Sequence, residues 1–238
     1  MSELPFDEPK PPGDDEKPHY LGHRERLREK LFRQGDALPD YELLELVLTL
    51  AHSRKDMKPH AKALLRRFGG FAEVIGADPA LLLQEKDIGP VAIGALKIVQ
   101  TAAVRLLRGR LKERSVLGSW DALLDYCFGV MAHEKNEQFR ILFLDHKQKL
   151  IADEVQHHGT INHTPVYPRE VVRRALELGA AAIIIVHNHP SGDPTPSSGD
   201  KDMTRQVRDA AKAVGITLHD HLVVGRDGIV SFKNRGLL

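Results

Sequence analysis

Ala180-Ala-Ala-Ile-Ile-Ile-Val-His-Asn-His-Pro190 and the irregular stretch behind it, Ser191-Gly-Asp-Pro-Thr-Pro-Ser-Ser-Gly-Asp200, decide the reading of this chain. Ala180 to Val186 is the longest unbroken apolar run, and a short apolar run bounded by Gly179 suits a strand buried in a sheet. Side chains alternate across a strand, so His187 and His189 at its end project to one side while Asn188 points away. Pro190 to Pro196 is too rich in proline and glycine for regular structure, and it delivers Ser197 and Asp200 to the start of a following helix. Met203, Val207, Ala210, Ala211 and Val214 form the apolar stripe of that helix. Two neutral imidazoles and one carboxylate are a donor set for zinc, and three protein ligands leave a fourth position for water, the mark of a catalytic rather than a closed structural site. Water held there is acidified towards neutrality. The expectation is one Zn2+ per chain on His187, His189 and Asp200. Ser197-x-x-Asp200 also fits a capping box, and Thr195-Pro196 a helix start, but joined to H-x-H at matching spacing on a strand the metal reading wins over a purely structural one.

Working outward, Pro168 to Leu178 reads as a helix with proline in its first turn and Gly179 at its stop. Phe139 to Asp145 and Leu150 to Val155 are strand-like on either side of the turn His146–Lys149, so strands replace helices beyond Ser115. Ile216 to Val224 and Ile229 to Phe232 add two strands around Arg226-Asp227-Gly228. Upstream, residues 19–114 carry helical spacing: Leu43, Leu46, Val47 and Leu50, then Leu64, Leu65 and Phe68, punctuated by Gly69-Gly70 and Asp78-Pro79. Pro90 to Arg110 is a longer helix whose basic end leads to a boundary near Ser115. Residues 1–18, with five prolines and six acids, lack the apolar side chains to offset ordering and read as a disordered tail. The predicted class is α+β: tail 1–18, an all-helical domain over 19–114, and a mixed sheet flanked by helices over 115–238, with no internal repeat.

Across 238 residues, 42% are hydrophobic, enough for a buried core. The net charge of +1 hides a basic middle, since residues 19–114 carry 18 basic and 12 acidic side chains. That excess is compatible with a polyanion partner without requiring one. A single cysteine, Cys127, excludes an intrachain disulfide and a cysteine-rich metal site, which fits a reducing cytoplasm. No apolar run approaches the ~20 residues of a membrane span, and the acidic start is unlike a signal peptide, so neither membrane nor export is expected. His219 and His221 form a second H-x-H, but no ligand follows at a useful spacing, so surface or packing roles are expected of them. His157, His158 and His163 receive no ligand role, and Cys127 reads as a small core residue.

His187-Asn-His189, seven residues, Ser197, two residues, Asp200 is similar to the JAMM motif of MPN-type metallohydrolases. The fuller string His-Asn-His-Pro-Ser-Gly-Asp-Pro-Thr-Pro-Ser, with Asn162 and Tyr167-Pro168-Arg169-Glu170 before it, resembles the RadC family, over most of residues 19–238. The resemblance implies a cytidine-deaminase-like MPN/JAB sheet behind a helix-hairpin-helix-like domain. It also implies a glutamate general acid/base, which falls on Glu137 with Glu134 as the fallback. Glu137 would take a proton from the water and pass it to the leaving amine, while Ser197 helps hold the oxyanion. The implied activity is hydrolysis of an amide or isopeptide bond in a peptide or protein. The alternatives are a DNA-binding repair accessory protein, or a metal-dependent phosphodiesterase using the same ion. In the family the helical part resembles a hairpin that offers backbone N–H groups to DNA phosphates without reading sequence. Here Gly89 is in place, but Asp87 stands where the pattern has its first glycine, and a carboxylate repels phosphate.

Overall fold

The computed structural model describes residues 19–113, 115–158 and 166–238. The tail 1–18, Arg114, Asn162 and His163 lie outside the described residues. The described chain is α+β and divides into two compact units. The first holds the described residues up to Val74 with Pro79–Leu96, and the second holds Ile75–Asp78 with Lys97–Leu238.

The helical region runs through α1 (His19–Gln34), α2 (Asp40–Ala51), α3 (Lys58–Phe68), α4 (Phe71–Gly76), α5 (Pro79–Leu82) and α6 (Pro90–Glu113). Asp40 and Glu42 place negative charge in the first turn of α2, where the helix dipole favours it. Gly69 ends α3 at φ 110, a backbone state open to glycine. The buried side of α2 is Leu44, Val47 and Leu48, beside a Glu45 that pairs with His23 at 3.1 Å. Of the predicted stripe of Leu43, Leu46, Val47 and Leu50, Val47 is buried, while all four line an open groove of about 490 Å³ with Leu31 and Phe32, and Leu50 is 78% exposed. Leucines at 43, 44, 46, 48 and 50 make α2 apolar on more than one side, so periodicity alone does not select the buried one. Between α5 and α6, Asp87 adopts φ 64, a glycine-like conformation at the place where the hairpin pattern has glycine. Its carboxylate is bound by Lys55 and lies 3.0 Å from His60 Nε2. The stretch Pro90–Leu111 is the one described helix long and apolar enough by composition to cross a membrane. It also carries Lys97, Arg105, Arg108 and Arg110, and Leu111 packs into the core of the second unit.

The sheet of the second unit has the order β2-β1-β3-β4-β5, built from β1 (Gln138–Leu144), β2 (Leu150–His158), β3 (Ala182–Asn188), β4 (Thr217–Gly225) and β5 (Gly228–Ser231). Every pairing is antiparallel except β3 with β4, which needs a crossover and receives it from α9 (Ser198–Ala213). One face of the sheet, with Leu142, Ile184, Val186 and Leu222, packs on α7 (Trp120–Met131). The other, with Phe139, Ile141, Ile183 and Ile185, packs on α9 and on α8 (Pro168–Glu177). Both faces of β3 are covered, which is why it reads as a continuous apolar run. It starts at Ala182 rather than Ala180 because Gly179, at φ 64, and the Ala180 N–H donating to Ala175 O close the end of α8.

The expectation of strands directly beyond Ser115 missed α7. Trp-Asp-Ala-Leu-Leu-Asp-Tyr-Cys-Phe-Gly-Val-Met is apolar around most of its circumference because it lies on the sheet, so little polar contrast marks its helical period. Register also shifts within β4. Ile183 pairs with Leu218 but Ile184 with Asp220, leaving His219 as an extra residue. The bulge turns both Leu218 and His221 towards the α8–α9 layer, with Asp220 on the α7 side.

Candidate metal centre

Alternation along β3 assigns its residues to the two layers: Ile184 and Val186 face α7, while Ile183 and Ile185 face α8 and α9. His187 continues the second set and is 1% exposed. His189 lies one residue past the strand, and its N–H donates to Val224 O at 2.8 Å, which prolongs the pairing with β4. The two Nε2 atoms lie 3.0 Å apart, with Asp200 Oδ1 at 3.2 Å from His187 Nε2 and Asp200 Oδ2 at 3.5 Å from His189 Nε2. Ligands of a tetrahedral zinc, at ~2.0–2.1 Å from the ion, stand ~3.3 Å from one another. The predicted ligands converge with that spacing, and they are the one metal-capable cluster found among the described residues.

The loop between strand and helix sets the first tautomer. His189 Nδ1 is 2.8 Å from Asp193 O. A carbonyl can only accept, so Nδ1 carries the proton and the Nε2 lone pair faces the cluster. Asp193 is held by Thr195, whose N–H and hydroxyl donate to its Oδ1 at 2.9 and 2.7 Å. Gly192, at φ 102, turns the chain there, and it crosses Gly225 so closely that a Cβ on Gly225 would lie 2.0 Å from Gly192 O.

Ser197 and Asp200 make the capping box that the spacing allows. Asp200 N–H donates to Ser197 Oγ at 3.2 Å and Ser197 N–H to Asp200 Oδ2 at 2.7 Å. The Ser197 hydroxyl also reaches Asp200 Oδ2 at 2.7 Å. The cap that starts α9 therefore also aims the carboxylate at the two histidines. Burial works against ionisation of Asp200, but the polar surroundings supplied by His187, His189 and Ser197 hold its carboxyl well below the usual carboxylate range. Asp200 in turn raises the pKa of His189 against the effect of burial, helped by Asp193 O and the negative charge of Glu137.

Glu137 precedes β1. Phe139 pairs with His187, so extending the antiparallel register by two residues sets Glu137 opposite His189, on the same face. Glu134 lies three residues further back, in the loop after α7. Asn188 does point away from the ligands, and it ties this loop down. Its Oδ1 accepts from Gln138 N–H at 2.7 Å, and its Nδ2 donates to Glu134 O and Asn136 O, each at 3.2 Å. The middle residue of H-x-H thus fixes the backbone on either side of Glu137.

Of the surface or packing roles expected of the second H-x-H, His221 takes packing, being fully buried, but it also adjoins the cluster, with its Nε2 2.7 Å from His187 Nδ1. Burial lowers its pKa well below the ordinary value. Sequence reasoning missed it because its partner is 34 residues away and only the β3–β4 register makes them diagonal neighbours. His219 takes no part, being the bulged residue. Cys127 is a core residue whose thiol is pushed up by burial. Residues 117–237, slightly more than half of the chain, match the family model of the RadC-like JAB domain.

Proposed function

Because this chain belongs to the RadC family of JAB-domain proteins, we propose that it is a zinc-dependent hydrolase of the JAMM type, acting on an amide or isopeptide bond of a peptide or protein. The observation that carries this reading is the convergence of His187 Nε2, His189 Nε2 and an Asp200 carboxylate oxygen at 3.0–3.5 Å. Lone pairs and a negative charge packed so closely call for a cation. A zinc ion held by these three residues supplies Lewis acidity, polarising a carbonyl and acidifying a water.

The chain's own residues do the rest. Glu137, across from His189, takes the proton of the attacking water and returns it to the leaving amine. Ser197 turns its hydroxyl from Asp200 Oδ2 to the developing oxyanion at the N-terminus of α9, where the helix dipole favours negative charge. Asn188 keeps the Glu137 loop in place. The unpaired, buried Cys127 suits a protein of the reducing cytoplasm.

Elemental analysis of the purified protein tests the metal. About one zinc per chain, lost in both His187→Ala and Asp200→Ala, is the expected result, and zinc retained in both variants would overturn it. A panel of peptide and isopeptide substrates tests the chemistry. Glu137→Gln is expected to keep its zinc while hydrolysis falls by ~10²–10⁴-fold. Zinc-dependent cleavage of nucleic acid by the same site, with none of peptides, would replace this reading by a phosphodiesterase.

A further inference from the structure

We propose that His221 and Thr204 form a positioning relay that fixes which nitrogen of His187 carries the proton, leaving His187 Nε2 as the electron-pair donor of the metal centre. The proposal rests on the metal reading above, but its argument starts elsewhere, from an atom that can only accept. Thr204 is 1% exposed and one turn along α9 from Asp200, and its Oγ1 lies 2.5 Å from Asp200 O and 2.6 Å from His221 Nδ1. The hydroxyl has one proton. Asp200 O offers none, so the hydroxyl donates to it, a back-bond to the i−4 carbonyl. If the hydroxyl pointed at His221 instead, two oxygens would face each other at 2.5 Å with no proton between them.

The remaining assignments follow in order. Thr204 Oγ1 accepts from His221, so His221 Nδ1 carries a proton. A neutral imidazole with Nδ1–H has its lone pair on Nε2. That atom is 2.7 Å from His187 Nδ1, which therefore donates. The proton on His187 Nδ1 leaves Nε2 for the metal, facing His189 Nε2 at 3.0 Å and Asp200 Oδ1 at 3.2 Å. The relay starts at the backbone carbonyl of Asp200 and ends beside the carboxylate of the same residue.

Packing keeps the relay from rearranging. His221 is fully buried, stacked on Phe232 at 4.4 Å between ring centroids and set edge-on to Phe139 at 6.2 Å. Phe139 also stacks on His187 at 6.4 Å. The aromatic walls leave the His221 ring little room to turn over. Outer partners that orient a ligating histidine typically contribute 10–100-fold to metal affinity. Here that contribution comes from two residues that do not touch the ion.

Two measurements on the full chain test the relay: nitrogen-15 NMR of the histidine rings, and zinc affinity by competition with a chromophoric chelator. In wild type, His221 is expected to be protonated on Nδ1 with and without zinc, and zinc-loaded His187 on Nδ1. Thr204→Val keeps the shape but removes the acceptor, so zinc affinity is expected to fall ~10–100-fold, while Thr204→Ser restores it. His221→Phe should show a loss of similar size. A folded Thr204→Val protein with wild-type zinc affinity, or wild-type His221 protonated on Nε2, would overturn the relay. If wild type binds no zinc, the proposed function fails while the ring-nitrogen signals of the metal-free protein still decide the relay. If Thr204→Val does not fold, the wild-type signals and the Thr204→Ser affinity decide it.

Discussion

Asp87 in the helical unit and Asp200 in the sheet unit are both ionised carboxylates gripped by side chains from other elements, but their partners differ in kind. Asp87 meets a permanent cation. Lys55, and then His60, lower its pKa from the ordinary 3.8 to about 2, and the negative charge is answered on the spot. Asp200 meets two imidazoles whose Nδ1 protons are already engaged, one by Asp193 O and the other by His221. What those rings turn towards Asp200 is lone pairs. A carboxylate beside a lysine is a finished ion pair, whereas one among inward-facing lone pairs is a receptor short of positive charge.

The largest effect should separate the two aspartates by what zinc does to stability. With free zinc ~100-fold above its Kd, the wild-type protein should gain about 2.7 kcal/mol against unfolding, by linkage. Asp200→Asn should lose that gain and Asp87→Asn should keep it. Equal gains in all three proteins, read from denaturant curves with and without zinc, would break the comparison. Next in size is the backbone that holds the receptor open. Gly225→Ala would press a methyl into Gly192 O and should cost about 1–3 kcal/mol in urea unfolding, since the obstacle is main chain and not a flexible side-chain end. An unchanged midpoint would show that the His189 loop can give way.

A smaller effect concerns what Asp87 withholds. Asp87→Gly suits the backbone, already at φ 64, and releases Lys55 and His60. We propose that the helical unit contacts DNA without reading sequence, and that this substitution raises its affinity for duplex a few-fold. The salt dependence should steepen by about 0.9 in log–log slope for each added phosphate contact. No binding by either protein, at low salt, would remove DNA as a partner of the hairpin. The smallest effect is one of pH. A carboxyl whose folded pKa is depressed stabilises fully above its unfolded value of ~3.9 and loses that contribution as pH falls through the folded value. The stability difference between wild type and Asp87→Asn should therefore hold above pH ~4 and shrink towards pH 2. A constant difference over that window would mean that the ion pair does not form in solution.

What could be read from the sequence follows how far each feature reaches along the chain. His187, His189, Ser197 and Asp200 span fourteen residues, so alternation, proline and glycine content and cap spacing bring them together without knowledge of the sheet. The α+β class and the strand cores were legible for the same reason. Glu137 rested on resemblance, because its place opposite His189 exists only through the β1–β3 register. His221 and the target of Asn188 were illegible on the same ground. Helix α7 and the buried side of α2 failed for the opposite reason, too many apolar residues rather than too distant ones.

The extra residue in β4 decides how this chain meets a small deletion. With His219 removed, Leu218 still stands opposite Ile183 and Asp220 opposite Ile184, so plain alternation returns with Leu218 and His221 on the α8–α9 side and Asp220 on the α7 side, where Ser231 Oγ and the Lys233 N–H donate to it. With Leu222 removed the strand must slip by one residue, which either draws His221 out of its place or turns Val223 and Val224 to the opposite face. A codon lost at the bulge would pass almost unnoticed, and one lost three residues later would not.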